Sequence, residues 1–293
     1  MTRQTKQGFT LIITAALLWS LAAPIAKYLF SVGIAPTDLV QARVSYSFLI
    51  LVVIFAAFRR ELLSISKRDI PYFLLLGIGG FAFVQYTYFA AISKIDVGVA
   101  IALQYTAPSM ILLYSVLFLG KKIKKLTIAG VGLALIGCYL VIGAYETNWA
   151  ALNLEGIFWA LASAVTFAFY TLYAEKGLQK YTPWTVFFYA VCTAAIFWNV
   201  VHPPFILVGK GYTWTIWAGI FAVAILGTLI PFSLFFLALK KLDPIRLTVT
   251  STLEPIFATV LAFFILGEVL SEIQVFGGFL ILLSVILMAF SEK

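Results

Sequence analysis

The chain has 293 residues, of which 63% are hydrophobic and only 11% are charged, and its mean hydropathy is +1.05. Soluble domains contain about 45–50% apolar and about 25% charged residues, so this composition excludes an ordinary soluble protein. The net charge of +8 does not require a nucleic acid partner, because the basic residues gather at the ends of apolar segments. We expect the lipid bilayer, and no nucleic acid, as the partner of this chain.

A helix that crosses a bilayer needs about 20 apolar residues. Ten apolar segments of this kind follow one another in the sequence, at residues 8–30, 36–58, 70–92, 97–119, 124–144, 152–175, 182–202, 213–238, 245–266 and 271–290. The connections between them are too short for a soluble catalytic or nucleotide-binding domain. GxxxxGK[ST], HExxH and GxSxG motifs are all missing, and the two cysteines and single histidine form no metal-ligand pattern. We therefore expect no cofactor, no metal site and no enzymatic activity.

Basic residues predict the orientation of these segments. One side of the predicted membrane collects fifteen of them, Arg3, Lys6, Arg59, Arg60, Lys67, Arg68, Lys121, Lys122, Lys124, Lys125, Lys176, Lys180, Lys240, Lys241 and Lys293. The opposite side has Lys27, Lys94 and Lys210. The positive-inside rule then places both termini in the cytoplasm, as an even number of spans requires, with the chain in the cytoplasmic membrane.

The chain also resembles itself after a shift of 147 residues. This shift aligns nine pairs of residues, Pro36 with Pro183, Gly80 with Gly227, Phe89 with Phe236, Ala91 with Ala238, Lys94 with Lys241, Asp96 with Asp243, Pro108 with Pro255, Gly120 with Gly267 and Gly130 with Gly277. It predicts two halves, 1–147 and 148–293, with five spans each. Because five is odd, the second half enters the membrane from the opposite side. The predicted fold is therefore an all-α integral membrane protein of ten transmembrane helices in two inverted five-helix repeats, an architecture typical of secondary transporters.

Glu254 is the one acidic residue at the middle of a predicted span, and Pro255 follows it. A charge at membrane depth is costly, so it is a functional-site hypothesis by default. One interpretation is a cavity carboxylate that meets a cationic group or a proton. The other is a carboxylate bound to neighbouring helix backbone that holds the kink at Pro255. Thr250 and Ser251 precede Glu254 by four and three residues, and an unbroken helix would place all three on one face.

Arg43 lies about 10 Å into the second span, at 1.5 Å per residue. A guanidinium group stays charged and suits a carboxylate or a phosphate. Arg43 could thus contact a ligand or a gate, or it could pair with a helix end or an acid. Lys27 lies near the outer end of the first span, where a lysine side chain can extend to the interface. His202, in His202-Pro203-Pro204, is interpreted as interfacial.

Polar and aromatic side chains mark the remaining candidates. Gln85 and Tyr88 share one helical face by spacing, and Trp19, Gln104 and Tyr105 lie in neighbouring spans. The sixth span carries a polar stripe that would suit a cavity wall, at Ser163, Thr166, Tyr170 and Tyr173. The predicted substrate-binding set is Trp19, Arg43, Gln85, Tyr88, Gln104, Tyr105, Tyr170, Ser251 and Glu254.

Several of these residues resemble a known family. The run Leu253-Glu254-Pro255-Ile256-Phe257-Ala258 with the later Leu266-Gly267-Glu268, together with Trp19, Pro24 and Arg43, is similar to the EamA family of the drug/metabolite transporter superfamily. The resemblance covers the whole chain and implies a single-chain transporter, functional as a monomer and most often an exporter, with a central cavity between two halves. Known relatives carry amino acids, nucleobases, vitamins, sugar nucleotides or drugs. Small multidrug exporters of the superfamily have an acid midway along their first helix, but residues 11–20 here contain none.

The leading hypothesis is a secondary transporter that exports small polar or zwitterionic metabolites, amino acids among them, by alternating access. The alternative is a cation or multidrug exporter that uses Glu254 as its cavity charge. Proton coupling fits either hypothesis, because a proton is one partner that could offset the charge of Glu254. An intramembrane enzyme would need converging nucleophiles, bases or metal ligands, and the sequence has one histidine and no paired acids at mid-span.

Overall fold

A computed structural model describes residues 2–266 and 269–291, so Gly267 and Glu268 of the family motif, and Lys293, lie outside the described residues. Helices make up 83% of the protein, and the described ranges contain no strand. By length and composition, nine helices in those ranges can cross a membrane. The protein is therefore an all-helical, multi-pass membrane protein.

The ten apolar segments predicted from the sequence correspond to ten helical stretches. In chain order they are α1 Arg3–Ser31, α2 Pro36–Phe58, α3 Lys67–Lys94, α4 Val97–Leu117, α5 Lys125–Val141, α6 Leu154–Leu178, α7 Pro183–Val201, α8 Trp214–Leu239, α9 Pro244–Phe264 and α10 Glu272–Phe290. Helix α5 has 17 residues and is shorter than the predicted segment 124–144. It ends early because Gly143 adopts a left-handed φ of 71°, a conformation that terminates helices. The nine long helices alone meet the length of a span, so ten full spans are not established.

Two of the membrane helices are broken at matching places. Helix α4 is interrupted after Gln104, and α9 is interrupted after Ser251. Each break lies four residues before a proline, Pro108 or Pro255. Proline has no backbone N–H to donate to the carbonyl four residues earlier, and its ring clashes with that carbonyl. The prolines identified in the sequence thus account for both interruptions.

Helices α3 and α8 contain wider π-helical turns. These turns span Leu75–Ala82 in α3 and Ile225–Leu229 in α8. Pro231 follows the second turn and cannot donate to the carbonyl of Gly227, four residues earlier. A π turn often lies at a functional site, because it redirects side chains and frees backbone groups.

A cluster of aromatic rings fills the core beside the π turns. Tyr170 of α6 stacks on Phe235 of α8 with ring centroids 5.7 Å apart and lies at the same distance from Phe81 of α3. Phe187 of α7 packs against Phe81 and Phe236. The cluster therefore joins α3, α6, α7 and α8 into one packed unit next to the site described below.

Candidate functional site

A cavity lies among seven helices, α1, α2, α3, α4, α6, α8 and α9. It contains about 560 Å³ of empty space, a figure that includes open solvent at its mouth. Its lining consists of Trp19, Ala22, Ala23, Arg43, Val84, Gln85, Tyr88, Phe89, Gln104, Tyr105, Phe167, Gly227, Phe232 and Glu254. Both predicted halves of the chain contribute side chains, and the lining holds one acid and one base.

Glu254 lies immediately after the break in α9. It is the second residue of the helical piece Leu253–Leu266 and is 6% exposed. Its carboxylate accepts a 2.7 Å hydrogen bond from the hydroxyl of Tyr105. The N-terminal turn of a helix favours a negative charge, so the break itself helps to stabilise this carboxylate. The donor of this hydrogen bond is the side chain of Tyr105. The structural interpretation made from the sequence expected the backbone of a neighbouring helix as the partner of Glu254.

Arg43 is 2% exposed and binds the π turn of α8. Its Nη2 donates to the carbonyl oxygen of Gly227 at 2.5 Å, and its Nε donates to the hydroxyl of Thr228. The guanidinium carbon lies 4.5 Å from the centre of the Phe89 ring, in reach of a cation–π interaction. Arg43 thus donates to the carbonyl that Pro231 leaves without a donor. Its partners lie inside α8, so they are neither a helix end nor an acid, and the side chain also lines the cavity.

Neither charge of the cavity is neutralised by an ion pair. The ion pairs among residues 2–266 and 269–291 involve other acids and bases, and they include neither Arg43 nor Glu254. Tyr88 lies within electrostatic range of both groups. The cavity therefore presents a separated positive and negative charge.

Three further polar atoms of the lining have no hydrogen-bond partner among the described residues. They are the indole Nε1 of Trp19, the amide Nε2 of Gln85 and the hydroxyl of Tyr88, and each has almost no accessible surface. Buried polar atoms are nearly always hydrogen-bonded, so each unpaired one requires an explanation. All three groups can donate a hydrogen bond, and all three belong to the lining of one cavity.

Seven of the nine predicted substrate-binding residues line this cavity. They are Trp19, Arg43, Gln85, Tyr88, Gln104, Tyr105 and Glu254. Ser251 does not, because α9 is interrupted at Thr252 and the helical spacing that links Ser251 to Glu254 is lost. The hydroxyls of Ser251 and Thr250 instead donate to Leu247 and Arg246 of their own helix.

Tyr170 also lies outside the cavity lining, because its ring is fully buried in the aromatic cluster. The polar stripe of α6 does not form a cavity wall. Ser163 and Thr166 donate to carbonyls of their own helix, and Thr166 also lies 3.3 Å from the hydroxyl of Thr87 in α3. Small hydroxyls satisfied in this way allow two helices to pack closely in a membrane. The stripe thus marks a helix–helix contact.

Two residues interpreted as interfacial have fixed partners. The ammonium group of Lys27 donates to the carbonyls of Ile92 and Ile95 at 2.7 and 3.0 Å, and so caps the end of α3. His202 lies 2.7 Å from the fully buried carboxylate of Asp38. Such contacts between distant positions leave no pattern in the sequence.

The cavity includes residues that the sequence prediction missed. Phe89, Phe167 and Phe232 line it, and so does Gly227, which the sequence marked only as the partner of Gly80 in the repeat. The phenylalanines gave no signal because the chain contains 27 of them. The pair Gly227 and Pro231 carried a usable signal, since a proline four residues after a glycine leaves an accessible carbonyl inside a helix.

Comparison with known proteins identifies the family. The model of the EamA-like transporter family matches this chain twice, over residues 6–143 and 154–290. The chain belongs to the EamA-like transporter family. The family falls within the drug/metabolite transporter superfamily, and its members are transporters rather than enzymes.

Individual relatives agree with this assignment. The chain is 30% identical to an uncharacterized transporter of Archaeoglobus fulgidus, over 75% of this chain and 78% of the relative. It is 28% identical to the threonine/homoserine exporter RhtA of Escherichia coli K12, over 86% of this chain and 81% of RhtA. The inner membrane transporter YicL of Salmonella typhimurium, itself uncharacterized, is 24% identical over 99% of this chain and 97% of YicL.

A solved structure supports the fold of this EamA-family transporter. One crystal structure matches with a TM-score of 0.77 and 20% identity, and the match covers 97% of both chains. At this identity the likeness concerns the fold alone. It shows that the arrangement of helices around the cavity is one that another protein adopts.

Proposed function

We propose that this EamA-family protein is a secondary transporter of small zwitterionic metabolites, amino acids first among them, and that it exports them across the cytoplasmic membrane. The observation that carries the proposal is the pair of buried opposite charges in one cavity. Arg43 and Glu254 line the same space, and neither forms an ion pair within the described residues. A zwitterion offers a carboxylate to the first and an ammonium group to the second.

Energetics favour a ligand with both charges. An isolated charge in a low-dielectric interior loses its hydration, and a fixed counter-charge with good geometry offsets that loss. A purely cationic ligand would neutralise Glu254 and bring a like charge towards Arg43. A purely anionic ligand would do the reverse. Similarity to RhtA, named a threonine/homoserine exporter, supports amino acids as the first ligands to test.

We propose alternating access between two inverted halves, 1–147 and 148–293, as the mechanism. Three observations support this organisation. The family model matches twice. The breaks after Gln104 and Ser251 are 147 residues apart, which is the shift that aligns the two halves. The π turn Ile225–Leu229 overlaps the turn Leu75–Ala82 after the same shift. Two similar halves provide two nearly equivalent packings around one site.

We also propose that both termini lie in the cytoplasm, because the distribution of lysine and arginine favours this orientation. A single chain forms the whole cavity, so we propose a functional monomer. A proton is a further candidate partner of Glu254, because protonation would remove the charge when the substrate is absent.

A cation or multidrug exporter is the second candidate. The aromatic lining favours it, because Trp19, Phe89, Phe167 and Phe232 surround the same cavity as Glu254, and aromatic faces attract organic cations. In this candidate Arg43 has only its structural role on the π turn of α8.

A thermal-shift screen of the purified transporter distinguishes the two candidates, because a ligand that binds the folded state raises the apparent melting temperature. The panel contains threonine, homoserine, 1-amino-2-propanol, 3-hydroxybutanoate and tetraethylammonium. We expect stabilisation by an intact amino acid and much less by the two analogues of threonine that lack a carboxylate or an amine. Stabilisation by tetraethylammonium and not by any amino acid would support the cation exporter.

A further inference from the structure

Three unpaired donors, on Trp19, Gln85 and Tyr88, line the same cavity as Arg43. Tyr88 and Phe89 follow Gln85 on α3 by three and four residues, so both are its neighbours on the helix surface. The ring of Phe89 faces the guanidinium group of Arg43 at 4.5 Å. The two α3 donors are thus within about one helical turn of the residue that contacts the positive charge.

Trp19 lines the same cavity from α1. One turn further along α1, Ala22 packs so closely on Gly227 that a methyl group added there would lie 2.9 Å from the Ala22 Cβ. Gly227 is the residue whose carbonyl accepts the hydrogen bond from Arg43. The face of α1 that carries Trp19 therefore continues to the π turn that holds the guanidinium group.

We propose that Trp19, Gln85 and Tyr88 form the subsite for the carboxylate of the substrate, with Arg43 supplying its positive charge. This assignment rests on the proposed function, since it takes the ligand to be a zwitterion. An indole N–H, an amide NH₂ and a phenol O–H can all donate hydrogen bonds, and a carboxylate offers about four acceptor positions on two oxygens. Glu254, which accepts a hydrogen bond from Tyr105, then receives the ammonium group.

The three donor atoms have almost no accessible surface in this conformation. Neither water nor a carboxylate oxygen therefore touches them until the side chains around the cavity move, as alternating access requires. An unmade hydrogen bond of a buried donor is costly, and a bond to a charged acceptor is stronger than one between neutral groups. A carboxylate that meets these donors would therefore make three hydrogen bonds that they lack among the described residues.

The test removes one donor at a time while keeping the ring or the volume. The variants are Trp19→Phe, Tyr88→Phe and Gln85→Leu. Affinity is measured by titration for the amino acid that stabilises the wild-type protein most in the thermal-shift screen, and for the amine obtained from it by decarboxylation. We expect each variant to bind the amino acid about ten-fold more weakly, the loss typical of one hydrogen bond to a charged group. Binding of the amine, which has no carboxylate, should change little.

The chain offers matched controls outside the cavity. Trp198 and Tyr170 also carry a buried polar atom without a described partner, but neither lines the cavity. Trp198→Phe and Tyr170→Phe should therefore leave the affinity for the amino acid unchanged. These controls separate loss of a ligand contact from the general effect of removing an N–H or an O–H.

Three results would overturn the assignment. If Trp19→Phe and Tyr88→Phe fold and bind the amino acid with wild-type affinity, the donors do not contact it. If the two variants lose as much affinity for the amine as for the amino acid, the donors do not recognise the carboxylate. If the wild-type protein binds organic cations and no amino acid, the proposed function fails as well, so the wild-type result and the variant results identify which proposal is wrong.

Discussion

The hydroxyl of Tyr105 donates a 2.7 Å hydrogen bond to the carboxylate of Glu254, and this bond joins the two broken helices of the site. Tyr105 caps the first piece of α4, and Glu254 is the second residue of the second piece of α9. Both breaks arise from prolines that cannot donate to the carbonyl four residues earlier. The contact therefore lies where both helices have backbone carbonyls without a helical donor, so the helices can bend there. It is also where a substrate can compete with Tyr105 for the carboxylate of Glu254.

Replacement of Glu254 separates its charge from its structural role. In Glu254→Gln the amide carbonyl can still accept the hydrogen bond from Tyr105, so we expect a folded protein with a near-normal melting temperature. Transport should fall at least ten-fold, because the ammonium group of the substrate loses its counter-charge. Uptake into proteoliposomes and thermal unfolding of the same preparation check both expectations.

Glu254→Ala is the companion variant. It leaves the hydroxyl of Tyr105 without a partner and removes the acid, so we expect a lower melting temperature as well as lost transport. Wild-type transport by Glu254→Gln, at every pH between 6 and 8, would contradict a role for the charge and leave Glu254 as a structural acceptor only.

Gly227 is expected to tolerate no side chain. A Cβ at this position would lie 2.9 Å from the Cβ of Ala22 and 3.2 Å from the Nη2 of Arg43. Gly227→Ala should displace α1 or the guanidinium group, with a loss of about 1–3 kcal/mol of stability and weaker ligand binding. Gly132→Ala in α5 is the control, because a Cβ there meets no atom within 4 Å. Equal melting temperatures and affinities for the two variants would contradict the tight contact of α1, α2 and α8.

The buried carboxylate of Asp38 predicts an alkaline change in stability. It accepts hydrogen bonds from Lys210 at 2.6 Å and from Tyr212 at 2.9 Å, and lies 2.7 Å from His202. The hydrogen bond to Asp38 raises the pKa of Lys210, which lies outside the spans, above its ordinary value of 10.5. A raised pKa means that the stabilisation is complete below that ordinary value and is lost as the pH rises through the higher, folded-state pKa.

Melting temperatures of the wild-type protein and of Lys210→Met check this expectation. The wild-type protein should be the more stable of the two at pH 8, and the difference should shrink as the pH rises beyond 10.5. Lys122→Met serves as the control, because Lys122 forms no ion pair within the described residues. A difference between wild type and Lys210→Met that stays constant up to pH 12 would contradict the contact with Asp38.

Labelling of single cysteines tests the orientation. Asn148 lies in the connection between α5 and α6, and Lys122 lies in the connection between α4 and α5. With Cys138 and Cys192 replaced by alanine, a cysteine at Asn148 should react with a membrane-impermeant thiol reagent on intact cells. A cysteine at Lys122 should react only after the cells are lysed. The opposite pattern would place the termini outside the cytoplasm.

The sequence predicted the features that local chemistry determines. Pro108 and Pro255 marked the two breaks because proline acts on its own helix, and Glu254 was recognisable as the one acid at the middle of a predicted span. Tertiary contacts left no such signal. The bond from Arg43 to Gly227 joins positions 184 residues apart, and the contact of His202 with Asp38 joins positions 164 apart.

Two residues of the predicted substrate-binding set lie outside the cavity lining, for one physical reason. Helical spacing groups Ser251 with Glu254 only in an unbroken helix, but α9 is interrupted at Thr252. Polar residues recur along α6 at a spacing that suits a cavity wall, but Phe81 and Phe235 pack against the ring of Tyr170. Helical spacing shows which residues share a face, and it does not show whether that face meets water or another helix.

The central claim is that one cavity recognises both charges of a zwitterion through Arg43 and Glu254. Counterflow in proteoliposomes tests it most directly, with labelled threonine outside and an excess of one unlabelled compound inside. We expect internal threonine or homoserine to drive accumulation of the label, and 1-amino-2-propanol and 3-hydroxybutanoate, which each lack one charge, to drive little or none. Equal exchange with 1-amino-2-propanol, or exchange of labelled tetraethylammonium without any exchange of threonine, would contradict the claim.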